Sequence, residues 1–390
     1  RGLTAIPIRD QIATECVNIA YGFFSPIEGF MCRADVDSVV KDMRLASGYV
    51  WSIPIVFDMS PEEVKQSGLK EGDTVLLTYQ DQPLATLDIE EIYSYDKELM
   101  AQRVYGTPDD RHPGVRRTYA YKDCFLGGRV TLVTPPRLAP PFDRFWHTPR
   151  QLRAKFAEKG WPKVVAHQTR NVPHTGHEWL MKGAWFAAGA DAVLVNAVIG
   201  EKRTGDYIDE AIVLAHDILR TAGYFREDIH LTSILLWDMR YAGPREAVFH
   251  AIVRKNLGCS HHMFGRDHAG VGTYYDTYAA HRIFEEIPDI GIVPVKTLEW
   301  WYCPDCAAVT YEELCGHKGR EQKFSGTLIR SIIEDGVKPP RLIFRPEVFD
   351  LVMECAQKYG FGSPFVTENY LRNRNPVMSL PPMKFSGRRR

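Results

Sequence analysis

No stretch of this chain approaches the roughly twenty consecutive apolar residues that a membrane-spanning helix needs. Nor does it open on a basic segment leading into an apolar one. The expectation is a cytoplasmic protein without a membrane segment. Net charge is equally scarce: 48 Lys and Arg stand against 49 Asp and Glu, a formal balance of -1. That removes the global basic field with which proteins gather nucleic acid or anionic lipid, so any anion must be held locally. Internal repeats and low-complexity tracts are missing too, and a 45% hydrophobic, 25% charged composition excludes disordered, collagen-like and fibrous classes. What remains is 390 residues, enough for two or three globular domains with cores of their own. Position 1 is Arg, which suits a trimmed chain whose first element is missing.

Of eight cysteines, Cys16, Cys32, Cys124, Cys259 and Cys355 are scattered singly, as reduced thiols are, and do not form the spaced pairs of a secreted disulfide framework. The other three cluster. Cys303-Pro-Asp-Cys306 is followed by Cys315-Gly-His317, a spacing that lets four soft ligands converge on one tetrahedral zinc ion. A redox CxxC pair would not need the second pair and normally opens a helix after a strand. With all four positions supplied by protein the zinc is expected to be structural, clamping the loop 303–317.

Four prolines within Pro135–Pro141 cannot continue a helix or a central strand, so a domain boundary is expected there. Upstream, Thr74–Tyr79, Pro83–Ile89 and Gly128–Val133 are short β-rich runs between turn residues, predicting a small barrel or sandwich. Downstream, apolar runs at Lys163–His167, Ala192–Val198, Leu231–Trp237, His262–Phe264 and Gly291–Val295 alternate with helical segments. Those segments include Ile208–Leu219 and Arg245–Leu257, the latter with Pro244 before it and Gly258 after it. This predicts a doubly wound parallel sheet, which binds ligands at the carboxyl ends of its strands. From about Phe324 onward the pattern turns helical again, predicting a small cap.

The residues that carry chemistry fall at those strand ends. After the first strand comes Gln168-Thr169-Arg170-Asn171-Val-Pro-His174-Thr-Gly176-His177, with two histidines on the first helical turn. Unpaired backbone N–H groups and the positive dipole end there favour polyphosphate, and Gly176 is expected to let a nucleotide approach the backbone. The same two histidines would also serve as a helix cap packed on a neighbour. After a later strand, Gly265-Arg266-Asp267-His268-Ala269-Gly270-Val-Gly272 makes a flexible backbone pocket with one strong anion donor. Arg170 and Arg266 are expected to converge as a pair of guanidinium forks around a small tetrahedral oxyanion. A third loop offers Arg240 and Arg245, facing the same crevice, lying in a solvated loop or forming a salt bridge to Glu246. Ser325 or Thr327 is expected to cap the helix after Phe324.

Together Gln168–Asn171 with His174 and His177, Gly265–Gly270, Tyr241–Ala247 and Tyr21–Met31 resemble the ATP sulfurylases, the sulfate adenylyltransferases, from about Asn18 to Val348. The resemblance implies an α/β chain in three parts. These are an N-terminal β-rich PUA-like domain (1–138), a Rossmann-like doubly wound catalytic domain of the H-x-G-H nucleotidyltransferase superfamily with the metal loop inside it (139–322), and a small C-terminal helical subdomain (323–390). It implies conversion of ATP and sulfate to adenosine 5′-phosphosulfate and pyrophosphate. Sulfate binding falls on Gln168, Arg170 and Ala269 with Arg266 in support, and ATP contacts on Gln168–Asn171 and Gly265–His268. Thr169, Arg170 and Asn171 match the family's catalytic trio, and His174 and His177 its phosphate-contacting pair. The Cys303–His317 cluster resembles the zinc-containing prokaryotic branch. No kinase-type phosphate loop follows the C-terminal part, which implies the form without a fused kinase. Val172 stands where the family usually has Pro. Magnesium is expected to arrive with ATP, since no carboxylate cluster is reserved for it, and the family suggests a homodimer.

Three rival readings stand beside this one. Another H-x-G-H enzyme would adenylylate a phosphorylated small molecule in a larger pocket. A synthetase relative would need a Lys-rich second signature, of which only Lys323-Phe-Ser-Gly-Thr327 lies in a comparable place. A zinc-ribbon nucleic-acid module would need more positive charge than Lys318, Arg320 and Lys323 supply. Arg388–Arg390 reads as a solvated tail.

Overall fold

A computed structural model describes residues 2–382, and the Arg388–Arg390 triplet lies outside them. The described chain forms two compact units. The first holds residues up to Asp143, with Arg240–Phe249 and the described residues from Pro376 onward. The second holds Arg144–Met239 and His250–Asn375.

The first unit is built on a sheet of strands β1 (Thr4–Pro7), β2 (Gly29–Phe30), β3 (Asp58–Met59), β4 (Thr74–Tyr79), β5 (Gln82–Tyr93) and β6 (Cys124–Leu132), in the order β1-β4-β5-β6-β2 with β3 also on β6. Alternation sets the inward face: Val75, Leu77 and Tyr79 of β4 are buried while the residues between them are not. Gly128, at φ +150, is needed where β6 crosses β5, because a Cβ there would sit 1.9 Å from the Asp88 carbonyl oxygen. The proline-rich segment carries one two-residue strand, β7 (Arg137–Leu138), paired antiparallel with Met378–Ser379.

This unit is less purely β than its sequence suggests, since helices Asp10–Ala20, Arg33–Asp42, Pro61–Ser67, Lys97–Tyr105 and Pro113–Tyr119 intervene. They are short, and their buried stripes, such as Ile12, Cys16 and Ile19, are too brief to stand out against the β-rich runs. Arg240 and Arg245 belong here. Arg240 is fully buried, its guanidinium paired with Glu15, while Glu246 accepts the backbone N–H groups of Arg240 and Ala242 at 3.0 Å. Arg245 donates to the Val39 and Val40 carbonyls at 2.8 and 2.9 Å. Both arginines bind protein groups of this unit, so of the alternatives the crevice is set aside, and the carboxylate that pairs with the Arg240 guanidinium is Glu15, where the sequence suggested Glu246.

The second unit is built on a parallel sheet of β8 (Val164–Thr169), β9 (Ala192–Ile199), β10 (His230–Leu236), β11 (His261–Phe264) and β12 (Val293–Lys296), in the order β10-β9-β8-β11-β12. This is the doubly wound order, with its switch point between β8 and β11. All eight residues of β9 are buried, so each of its Val, Leu and Ile side chains contributes roughly 1.5–3 kcal/mol. Beyond β12 an antiparallel sheet runs β14-β13-β15, where β13 is Trp300–Cys303, β14 Ala308–Tyr311 and β15 Gln322–Lys323. Helices Gly326–Glu334, Pro346–Lys358 and Glu368–Asn373 follow. The second of them buries Val348, Phe349, Val352, Cys355 and Ala356 on one stripe and packs on helix Asp209–Thr221. Among the described residues no helix is long and apolar enough to cross a membrane.

Candidate active site

β8 ends at Thr169, and the chain turns through Arg170–Pro173 into helix Thr175–Ala188. The turn is held from within: the Thr169 hydroxyl accepts the Asn171 N–H at 3.1 Å and reaches the Asn171 carbonyl at 3.3 Å. Val172 is buried. The helix start is a capping box made of two histidines, in which the His177 N–H donates to His174 Nδ1 and the His174 N–H donates to His177 Nδ1, both at 3.3 Å. Because each Nδ1 accepts, the neutral rings carry their proton on Nε2. Burial keeps them neutral, holding His177 at about 4 and His174 well below its ordinary value, the latter with help from His177. The rings stack 3.8 Å apart, and Phe324 stacks on His174 at 5.1 Å. Gly176 lines the cavity described below and has a packing role as well: a Cβ there would lie 2.5 Å from Phe324 and 2.8 Å from the His174 ring. Capping and cavity lining are thus both true of this histidine pair.

Across the switch point, β11 feeds the loop Gly265–Gly272. Asp267 and Ala269 take left-handed backbone angles, φ 50 and 56, and the Asp267 N–H donates to the Thr277 carbonyl at 2.8 Å. The His268 ring meets buried His250 at 3.0 Å between Nε2 and Nδ1. Arg266 is exposed and lies 3.8 Å from Glu299, which also accepts Lys323 at 2.6 Å. Burial raises the Asp267 carboxyl, opposed by the Arg266 charge.

The two loops share one cavity of about 650 Å³. Its lining includes Gln168, Thr169, Arg170, Asn171, His174, His177, Gly265, Arg266, Asp267, His268 and Ala269, so the two separated motifs meet at one place. A smaller cavity of about 310 Å³ shares Arg170, Asn171, His174 and His177 and adds Tyr207 and Arg330. Sequence reasoning did not single out several lining groups, among them His167, Met239, Tyr275, Glu299 and Trp300. His167 was the most findable, one residue before Gln168 on the same strand end. Its buried ring lies 6.2 Å from that of His177 and 5.9 Å from that of His216.

Cys303, Cys306, Cys315 and His317 lie on and just beyond the β13–β14 hairpin, with their ligand atoms all within 4.8 Å of one another. The Sγ atoms of Cys306 and Cys315 are 3.8 Å apart, and His317 Nδ1 lies 3.3 to 3.8 Å from the three sulfurs. A tetrahedron of Zn–S bonds near 2.3 Å has edges of about 3.8 Å. The cluster therefore fits a metal such as zinc. Among the described residues no other group of three or more such side chains was found.

Fold and cavity together define an α/β protein that presents a helix N-terminus, two imidazole donors and two guanidinium-bearing loops at the switch point of a parallel sheet, a place for phosphorylated or other anionic ligands. The ATP-sulfurylase family model matches residues 143–355 and a PUA-like domain model residues 1–135. The sulfate adenylyltransferase of Archaeoglobus fulgidus is 42% identical over a 409-residue alignment covering 97% of this chain and 89% of that one. That of Aeropyrum pernix is 45% identical over 349 residues, 89% of each chain. The chain belongs to the ATP-sulfurylase family. Among solved structures it is similar in fold to the hexameric APS kinase from Thiobacillus denitrificans, with TM-score 0.70 and 22% identity over 90% of this chain. It spans 63% of that neighbour's length.

Proposed function

We propose that the cavity transfers the adenylyl group of ATP to sulfate, giving adenosine 5′-phosphosulfate and pyrophosphate. The observation that carries this is the meeting of the two arginine-bearing loops at one helix N-terminus, in a chain of this family. A sulfate oxygen attacks the α-phosphorus, a new P–O bond forms, and the bond to the bridging oxygen of the β-phosphate breaks. Sulfate is fully ionised at neutral pH, so no proton has to move and no general base is required. The task is to hold two anions together and to stabilise charge on the α-phosphate and the leaving group. Arg170 and Arg266 offset the repulsion, with Gln168 and the Ala269 N–H on sulfate. Asn171 polarises the α-phosphate, Thr169 holds the turn, and Gly265, Asp267 and His268 line the nucleotide. His174 and His177 supply neutral Nε2–H donors to the departing phosphates. Positioning and electrostatics suffice, and the same site serves the reverse reaction.

Magnesium enters with ATP and neutralises the phosphates, whereas a zinc ion at Cys303, Cys306, Cys315 and His317 is structural. The division at 138 and 322, a homodimer and a cytoplasmic location complete this reading. Its test is pyrophosphate release from ATP with sulfate, with molybdate and with neither. Release that depends on either anion is the expected result. Bound ATP without anion-stimulated release would turn the search to phosphorylated acceptors.

A further inference from the structure

We infer that His216 is a positioning residue for this reaction, holding the Asn171 main chain from beneath so that the amide side chain meets the α-phosphate in one place. The inference rests on the adenylyl-transfer reading above. His216 lies on helix Asp209–Thr221, fully buried, 45 residues from Asn171 in sequence. Its Nε2 is 3.0 Å from the Asn171 carbonyl oxygen. A carbonyl only accepts, so Nε2 carries the proton and Nδ1 is bare. That Nδ1 is buried without a hydrogen-bond partner, so the site carries the penalty of a desolvated acceptor to keep the Nε2 contact. Burial pulls the ring's proton affinity down to about 3, so the donor is a neutral imidazole throughout the working range.

Asn171 is thereby fixed at both main-chain polar groups. Thr169 Oγ1 takes its N–H, while Thr169 and His216 share its carbonyl. Only side-chain rotation remains to it, and its side chain borders both cavities. A misplacement of about 1 Å at a reacting centre costs up to about a hundredfold in rate. His216 lines neither of these two cavities, so its contribution passes through its neighbours, chiefly Asn171, which it hydrogen-bonds.

The test compares His216→Gln with His216→Met, side chains of similar length and volume of which only Gln keeps an N–H donor. The readouts are kcat, the KM for ATP and for sulfate, and the thermal midpoint. H216M should lose about ten- to a hundredfold in kcat with both KM values within about threefold, and H216Q should recover most of the loss. Wild-type kcat in H216M, equal losses in both variants, or a loss confined to KM would each overturn the inference. Should neither variant fold, histidine 15N resonances of the unmodified enzyme decide. An Nε2–H tautomer with a slowly exchanging proton is expected for His216, and an Nδ1–H tautomer or rapid exchange overturns it. Anion-dependent pyrophosphate release by the unmodified enzyme separates the two claims. Its absence strikes the adenylyl-transfer reading, whereas its presence alongside an unimpaired H216M strikes only the positioning role.

Discussion

Arg170 borders both cavities at the start of the His-bearing helix, and no neighbouring side chain on its turn carries a positive charge. Asn171 and the two imidazoles are neutral donors, able to orient phosphate but not to offset the repulsion between two anions. Arg170→Ala is therefore expected to lower kcat/KM by about a hundredfold or more while the thermal midpoint stays close to that of the unmodified protein. Anion-dependent pyrophosphate release and a melting curve check this, and near-normal turnover would remove Arg170 from the reaction. Gly176 makes a complementary point: a single methyl group there would press on His174 and Phe324, so the glycine is required by side-chain packing and not by backbone angle.

The strands of the second unit were legible almost to their ends because short runs dominated by Val, Ile, Leu and Ala leave few alternatives. The metal loop was legible from four ligand positions, since soft donors at that spacing have few other uses. Expected here is close to one zinc per chain in chelator-free protein, and loss of both zinc and thermal stability in Cys303→Ser. Metal analysis returning far less than one equivalent would remove the zinc assignment. What did not show in the sequence was tertiary. His216 is one more polar residue on an amphipathic helix until its ring is seen 3.0 Å from a carbonyl 45 residues away. Likewise nothing in the order Arg240-Tyr-Ala-Gly-Pro-Arg245 says that both guanidinium groups will be taken up by a buried glutamate and by helix carbonyls.

Histidines that are buried or half-buried are spread through the second unit. His167, His174, His177, His216, His230 and His262 are all held below their ordinary values, chiefly by burial. The folded state therefore refuses protons that the unfolded chain accepts near pH 6.5, so stability falls as pH drops from there toward about 4. His230 isolates the effect, because it packs on Phe225 away from both cavities, its ring nitrogens have no hydrogen-bond partner, and burial brings it to about 3. In His230→Leu the stability difference from the unmodified protein should move in the variant's favour by at most about 2 kcal/mol between pH 7.5 and pH 5. Melting curves at the two pH values check this, and an unchanged difference would refute it. The start of the His-bearing helix has a further property. The Thr175 N–H donates to the Ile343 carbonyl at 3.0 Å, its hydroxyl donates to the Leu342 carbonyl at 2.7 Å, and Glu178 takes a bidentate pair from Arg345, 167 residues downstream. A ribosome adding 5–20 residues per second needs roughly ten to thirty seconds to cover that distance. Throughout that interval the helix that opens the cavity waits without these anchors.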